Sequence, residues 1–371
     1  MKHTTLYELA KAYQDASIDS VFSENDLICI LSEEQIPYYV SVVDSAFAAY
    51  RGEKGLTGYL ALSLQDEGVS EMENLDLQEA QECLLGIMRT EKDNLEESDL
   101  KAAKESGVSF SEDAYPQFRI KEQYKVPWYI SEKDEADLIL ILRGLLFAKE
   151  YFASYKKTKK TNTFSFWLDS LQLEETDKKE YIPTLEMKGD SFTVSVRVLQ
   201  DEAYGFYYPQ AFFTNEDRQL QYKRMKAKPG KIMALAIGMM VEPMLPGEGE
   251  RPVYPFYSLA YDPQSHQVLD VFLVEDYEQE HGKIISRLLE LFEKEGKPQA
   301  IHCYGKRTLP LLSELGKQIG IMVVMGNQKE EMDSLIQDMF RELYEIPHDH
   351  DHDHDHHGCN HEHHHHHHHE E

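Results

Sequence analysis

The chain has 371 residues, 41% of them hydrophobic, and a formal net charge of −29. That length predicts two or three domains, and the hydrophobic share is enough to bury cores, which excludes a globally disordered chain. So large an acidic excess repels phosphate backbones, so no nucleic-acid partner is expected, and it keeps the surface soluble.

Four cysteines (Cys29, Cys83, Cys303 and Cys359) are widely spaced, with no CxxC pair, so no disulfide framework is implied. Cys29 and Cys303 sit in apolar runs and read as small core residues. The N-terminus has no apolar stretch suited to a secretory signal. The longest apolar run, Leu138–Phe152, is broken by Arg143 and Lys149 and falls short of the roughly 20 residues a bilayer requires. The expectation is a cytoplasmic protein with no membrane partner.

In chain order, Thr5-Leu6-Tyr7-Glu8 fits a capping box that opens a helix through Ala16. Leu27–Leu31 and Tyr38–Val43 read as strands. Gly52 and Gly55 read as turn glycines before a helix over Thr57–Leu64, since a phosphate loop would need more glycines and a lysine followed by Ser or Thr. Gln78–Arg89 holds a further strand or short helix, and Leu95–Ser106 is a polar helix closed by Gly107. The aromatic stretch from Tyr115 to Tyr129, with Pro116, Phe118, Arg119, Tyr124 and Trp128, reads as a rigid loop packed on its own core, with a recognition surface as the alternative. Ser131 and Asp134 form a second capping box before a buried helix over Glu135–Tyr155.

Two stretches here carry a resemblance: Tyr50-Arg51-Gly52 with Gly55-Leu56, and Asp113 through Leu138 with its Pro127-Trp128 pair ahead of an acidic helix start. Together with the strand–helix block that follows, they resemble an uncharacterised two-domain bacterial family of domains of unknown function, over most of residues 5–344. The resemblance implies no activity and no site residues.

Tyr155–Thr161 is the one basic cluster and reads as a solvated helix end. Tyr181–Met187 and Ser191–Leu199 alternate about Gly189-Asp190 and predict a hairpin. From Lys231 the pattern becomes three strands (Lys231–Glu242, Tyr254–Ala260, Gln267–Glu275), then helix Tyr277–Glu295, strand Gln299–Tyr304, helix Thr308–Ile319, strand Ile321–Met325 and helix Glu330–Leu343. Three strands followed by strand and helix in alternation resembles a ribonuclease H-like arrangement. The predicted organisation is therefore an α+β domain over 1–160, a small β-rich connector over 161–230, an α/β ribonuclease H-like domain over 231–346, and a disordered His/Asp-rich tail over 347–371.

Two-metal phosphoryl transfer needs converging carboxylates. Ala234–Val241 contains none, Glu242 stands only at its edge, and His302-Cys303-Tyr304 occupies the place of an expected aspartate. Glu278, Glu280, Asp333 and Asp338 read as solvated helix faces. His302 and Cys303 point to opposite faces of a strand, which leaves His281 as the only other nearby ligand and no complete metal site. No GxSxG serine elbow occurs.

Fourteen of the 18 histidines fall after Pro347: His348, His350, His352, His354, His356, His357, His361, His363, His364, His365, His366, His367, His368 and His369. Cys359 lies among them, with four Asp and three Glu and no Lys or Arg, leaving −22 on the rest of the chain. With no apolar residue to fold it, the tail is expected to be disordered. Neutral imidazoles with interleaved carboxylates suit Ni and Zn, and Cys359 could add a thiolate. The tail resembles the histidine-rich appendages of bacterial nickel and zinc chaperones. The function expected is non-enzymatic binding or buffering of divalent transition metals by these fifteen side chains. The alternatives are a metal-dependent nuclease-like enzyme and a protein-interaction module.

Overall fold

Two mixed sheets organise the residues described by the computed structural model, namely 3–22, 26–63, 69–153, 155, 167–168, 170–171, 173, 181–199 and 205–345. Residues 1–327 form one unit and residues 328–371 a second. The fold class is the mixed α/β organisation that the sequence pattern predicts.

The first sheet has seven strands: β1 (Ile28–Leu31), β2 (Pro37–Val43), β3 (Ala46–Arg51), β4 (Cys83–Thr90), β5 (Tyr115–Lys121), β6 (Tyr181–Lys188) and β7 (Ser191–Val198). Their order is β5-β4-β3-β2-β1-β6-β7. Every neighbouring pair is antiparallel except β1 and β6, which run parallel. The predicted hairpin over 181–199 therefore forms as the last two strands of this sheet. Central strand β2 is buried along most of its length, as expected for an apolar run covered on both faces.

On one face lie α1 (Thr4–Ala16), α4 (Glu97–Ser106) and α5 (Glu132–Ala153). Helix α5 buries Leu138, Ile141, Leu142, Leu145, Ala148 and Phe152, a stripe at helical spacing, against Ile28, Ile30 and Val40. Its start carries the capping box predicted for Ser131 and Asp134, the Ser131 amide donating to Asp134 Oδ2 at 2.8 Å. Gly107 closes α4 in the left-handed conformation, also as predicted. On the other face, Leu56 of α2 (Gly52–Ser63) packs with Cys29, Tyr39 and Ile182.

Several local expectations are corrected. Helix α1 starts at Thr4, with His3 as a left-handed N-cap and no side-chain cap, so the Thr5–Glu8 box does not form. Helix α2 begins at Gly52, five residues ahead of the predicted Thr57. Gly52 does take a positive φ of 61°. Gly55 lies within the helix, where a Cβ would stand 2.7 Å from the Glu82 carbonyl oxygen, so close approach requires it rather than a turn. The single element read over Gln78–Arg89 is in fact the end of helix α3 (Glu71–Glu79) followed by β4. A helix α6 (Glu216–Arg224), capped by Asn215, lies within the predicted connector.

The second sheet contains β8 (Ile232–Met239), β9 (Phe256–Asp262), β10 (Gln267–Val274), β11 (Ala300–Tyr304) and β12 (Met322–Met325), in the order β10-β9-β8-β11-β12. The first three are mutually antiparallel, and β11 and β12 run parallel to β8. Helices α7 (Tyr277–Glu295) and α8 (Thr308–Ile319) pack Leu288, Leu289, Phe292, Leu311, Leu312 and Leu315 onto one face. These elements start and stop within a few residues of their predicted bounds. In the second unit, α9 (Lys329–Glu345) is an amphipathic helix with Met332, Ile336, Met339 and Phe340 on one stripe. Among the described residues no helix is long and apolar enough to cross a membrane.

The step from β11 into α8 turns on Gly305. Its φ is 78°, and a Cβ there would lie 2.7 Å from the Ile237 carbonyl oxygen. Gly305→Ala is expected to cost about 2 kcal/mol or more, from left-handed strain and the backbone clash. The check is a lower denaturant midpoint at unchanged slope.

Candidate functional site

The site grows from this turn. Past Gly305, the Thr308 hydroxyl donates to the Tyr304 carbonyl at 2.5 Å and accepts the Ile237 amide at 3.0 Å. That bond pair pins the first turn of α8 to β8 and fixes the aim of Arg307, its N-cap residue. The Arg307 side chain runs inward and is 2% exposed.

Its guanidinium makes a fork with Asp76 of α3, Nη1 to Oδ2 at 2.5 Å and Nη2 to Oδ1 at 2.8 Å. Nη2 also donates to the Tyr124 hydroxyl at 2.8 Å. Four rings surround it, with Cζ 4.7 Å from the centre of Phe256, 5.4 Å from Tyr124, 5.7 Å from Tyr208 and 5.8 Å from Tyr277. The neighbouring Lys306 ammonium lies 3.2 Å from Asp76 and 5.5 Å from the Phe206 ring. A buried charge is tolerated only when paired and hydrogen-bonded, and here both partners are satisfied.

The electrostatics follow. Burial works to raise the Asp76 carboxyl, but Arg307 and Lys306 outweigh it and hold it below the ordinary carboxylate range. Burial likewise opposes the Arg307 charge, yet the Asp76 bond holds it above its usual value. Burial pushes the Tyr124 and Tyr277 hydroxyls up, so both stay protonated. Tyr124 has a φ of 59°, the left-handed region that non-glycine residues seldom adopt. Its amide bond to the Glu79 carbonyl, at 2.7 Å, and its own carbonyl's bond from the Tyr254 amide, at 2.8 Å, hold that strained backbone.

Beside this cluster opens a cavity of about 680 Å³. It is lined by the start of α2 (Glu53 and Lys54), Glu82, the 122–125 turn, Phe206–Tyr208 and the start of α7. Its cations are spoken for: Lys54 bonds Glu278 at 2.9 Å and Lys125 bonds Glu122 at 3.4 Å. Burial raises the Glu82 carboxyl above its ordinary range. Lys54 pulls the other way, and Glu122 adds to the rise.

The sequence-predicted residues fare unevenly. His348 through His369 and Cys359, the fifteen predicted metal ligands, lie outside the described residues. So does the basic cluster after Tyr155. Cys303 lies in the core, while half-buried His302 is on the opposite face of β11, and His281, also half-buried, contacts the Glu278 carbonyl at 2.9 Å. Among the described residues no group of three or more His, Cys, Asp or Glu could hold a metal. Burial pushes the Cys29 thiol up to about 11 and those of Cys83 and Cys303 up to about 12, which leaves no thiolate nucleophile among them. Glu278 pairs with Lys54, and Glu280 accepts the Glu275 and Asp276 amides as a cap of α7.

The aromatic stretch is structural but is not the loop expected, because Tyr115–Lys121 forms strand β5, paired with β4, and only the residues after Lys121 leave the sheet. Trp128 exchanges backbone bonds with Ile120 at 2.9 Å each way, and Arg251 reaches the carbonyls of Val126 and Ile120. Tyr124 is its exception, because it enters the Arg307 cluster. Sequence reading missed Arg307, Asp76, Tyr208 and Glu82. The only local signal was Gly-Lys-Arg between a strand and a helix.

Residues 4–167 match a domain of unknown function (DUF7309), and residues 221–340 match a second (DUF6930). The two models match successive, non-overlapping parts of the chain. No functionally curated protein matches it. Among solved structures, the cryoEM structure of the simian T-cell lymphotropic virus intasome in complex with PP2A regulatory subunit B56 gamma contains a similar chain, at 14% identity and a TM-score of 0.23. That similarity covers 33% of this chain and 46% of that one, and at such a score it carries no argument.

Two outcomes are expected at Asp76. Asp76→Ala strands the Arg307 charge in the interior and should cost about 3–5 kcal/mol, while joint replacement of the pair by Leu and Met should recover most of the loss; chemical denaturation measures both. The folded carboxyl lies below its unfolded value of about 3.9. Its contribution is therefore complete above that pH and lost as pH falls through the lower folded value. The stability–pH profile of Asp76→Asn should be flatter below about pH 4 than that of the parent.

Proposed function

We propose that this is a binding protein whose C-terminal tail takes up divalent transition metals, Ni or Zn. One observation carries the reading: fourteen imidazoles and the Cys359 thiol are concentrated in residues 348–371. Three or four such ligands complete a transition-metal shell, and the interleaved Asp carboxylates supply the negative charge that attracts the ion.

The strand order of the second sheet supports a ribonuclease H-like arrangement, and the side chains on it favour binding over hydrolysis. Strand β8 carries no carboxylate along Ile232–Met239. Strand β11 leads into Lys306 and Arg307, which place two cations at its carboxyl end. Fixed positive charge there opposes the paired divalent ions that phosphoryl transfer requires.

Calorimetric titration with Ni²⁺ and with Zn²⁺ tests the tail. The full chain is expected to bind roughly three or four ions, with uptake falling below about pH 6 as imidazoles protonate. A chain ending at Pro347 should lose this binding. Equal uptake by both chains would overturn the reading.

A further inference from the structure

We propose that the cavity between the start of α2, the 122–125 turn and the start of α7 binds a small organic cation of the amine or guanidine class. This goes beyond the tail and rests on different residues.

The cavity's size fits the proposal. About 680 Å³ lies within the range of small-molecule sites, which run from roughly 300 to 1,000 Å³. Its charge is one-sided. Glu53, Glu82, Glu122, Glu275, Asp276 and Glu278 line it, against Lys54, Lys125 and Arg307. Each of those three cations is already held, by Glu278, Glu122 and Asp76 in turn. Among the described residues no hydrogen bond or ion pair engages the Glu82 carboxylate, although it is half-buried. Burial makes its charged form costly, and an incoming cation would relieve that cost.

The wall chemistry points the same way without reference to the carboxylates. Phe206, Tyr207, Tyr208, Phe256 and Tyr277 present rings to the cavity. Ring faces attract ammonium and guanidinium groups. On the floor of this cavity, four of the protein's rings already surround one guanidinium, that of Arg307. Tyr207 lines the cavity and is 82% exposed, so its ring is accessible to a ligand. A net charge of −29 raises the local concentration of cations and turns anionic ligands such as nucleotides away. An alkyl-amine frame would rest on the rings with its charged end at Glu82.

The test is calorimetric titration of the full chain, in buffer with a metal chelator, using spermidine and agmatine, with 1,6-hexanediol as a neutral control. At least one of the two cations is expected to bind saturably, and the diol not at all. Glu82→Gln keeps the shape of the side chain and the whole tail, and should weaken binding roughly tenfold or more, as loss of a charged hydrogen bond does. Tyr207→Ala alters an exposed ring and should weaken it about two- to fivefold through the lost ring–cation contact. Cations attracted to the acidic tail would be unaffected by either change. Failure of both cations to saturate, or equal affinity of the parent and both variants, would overturn the proposal.

Discussion

The pairing of Arg307 with Asp76 is the constraint around which unit 1–327 is arranged. It joins the turn after β11 of the second sheet to helix α3, which follows the third strand of the first, across 231 residues of sequence. A guanidinium this deeply buried demands a bidentate acceptor and further donors and faces to replace water. That demand explains features otherwise unrelated. Gly305 takes a left-handed turn so that the chain can pass close to β8. Thr308 locks the first turn of α8. Tyr124 holds an uncommon backbone conformation so that its hydroxyl reaches the pair. Phe256 and Tyr277 complete the enclosure from the second sheet.

A second tier of buried ion pairs serves the first sheet alone. Arg119 forks onto Asp99 at 2.7 and 2.6 Å and stacks on Tyr129 at 4.9 Å, while Lys121 pairs with Glu79. Lys297 differs, since its ammonium is buried among the carbonyls of Tyr222, Lys223 and Ile319 rather than against a carboxylate. It satisfies backbone acceptors at the ends of α6 and α8, where a cation is favoured by the helix dipole. The acidic surface surrounds a small number of deliberately placed interior cations.

These interior pairs bear on function. Where a strand end in a phosphoryl-transfer site would gather carboxylates for metal ions, this chain carries Lys306 and Arg307. The carboxylates collect instead around the neighbouring cavity, beside aromatic rings, where no thiolate is available. Such a surface is suited to holding a cation, whether a protein side chain on its floor or a ligand above it.

The sequence by itself determined the elements whose signals are local. Period-2 and period-3.6 patterns placed the second sheet's strands and helices α7 and α8, the Gly189-Asp190 turn placed the β6–β7 hairpin, and Ser131 with Asp134 placed the start of α5. It also fixed the extreme charge and the concentration of histidines after Pro347. Errors fell where tertiary contact overrides local pattern: Gly55 reads as a turn glycine until the Glu82 carbonyl is seen pressing on it, and the capping residues at Thr5–Glu8 are bypassed by a left-handed His3. Only the tertiary structure decided the site. Asp76 and Glu82 look like ordinary acids on a strongly acidic chain, and Arg307 like one more surface cation. What distinguishes them is burial and partnership between distant segments, and long-range electrostatics leaves no periodicity in sequence from which to read it.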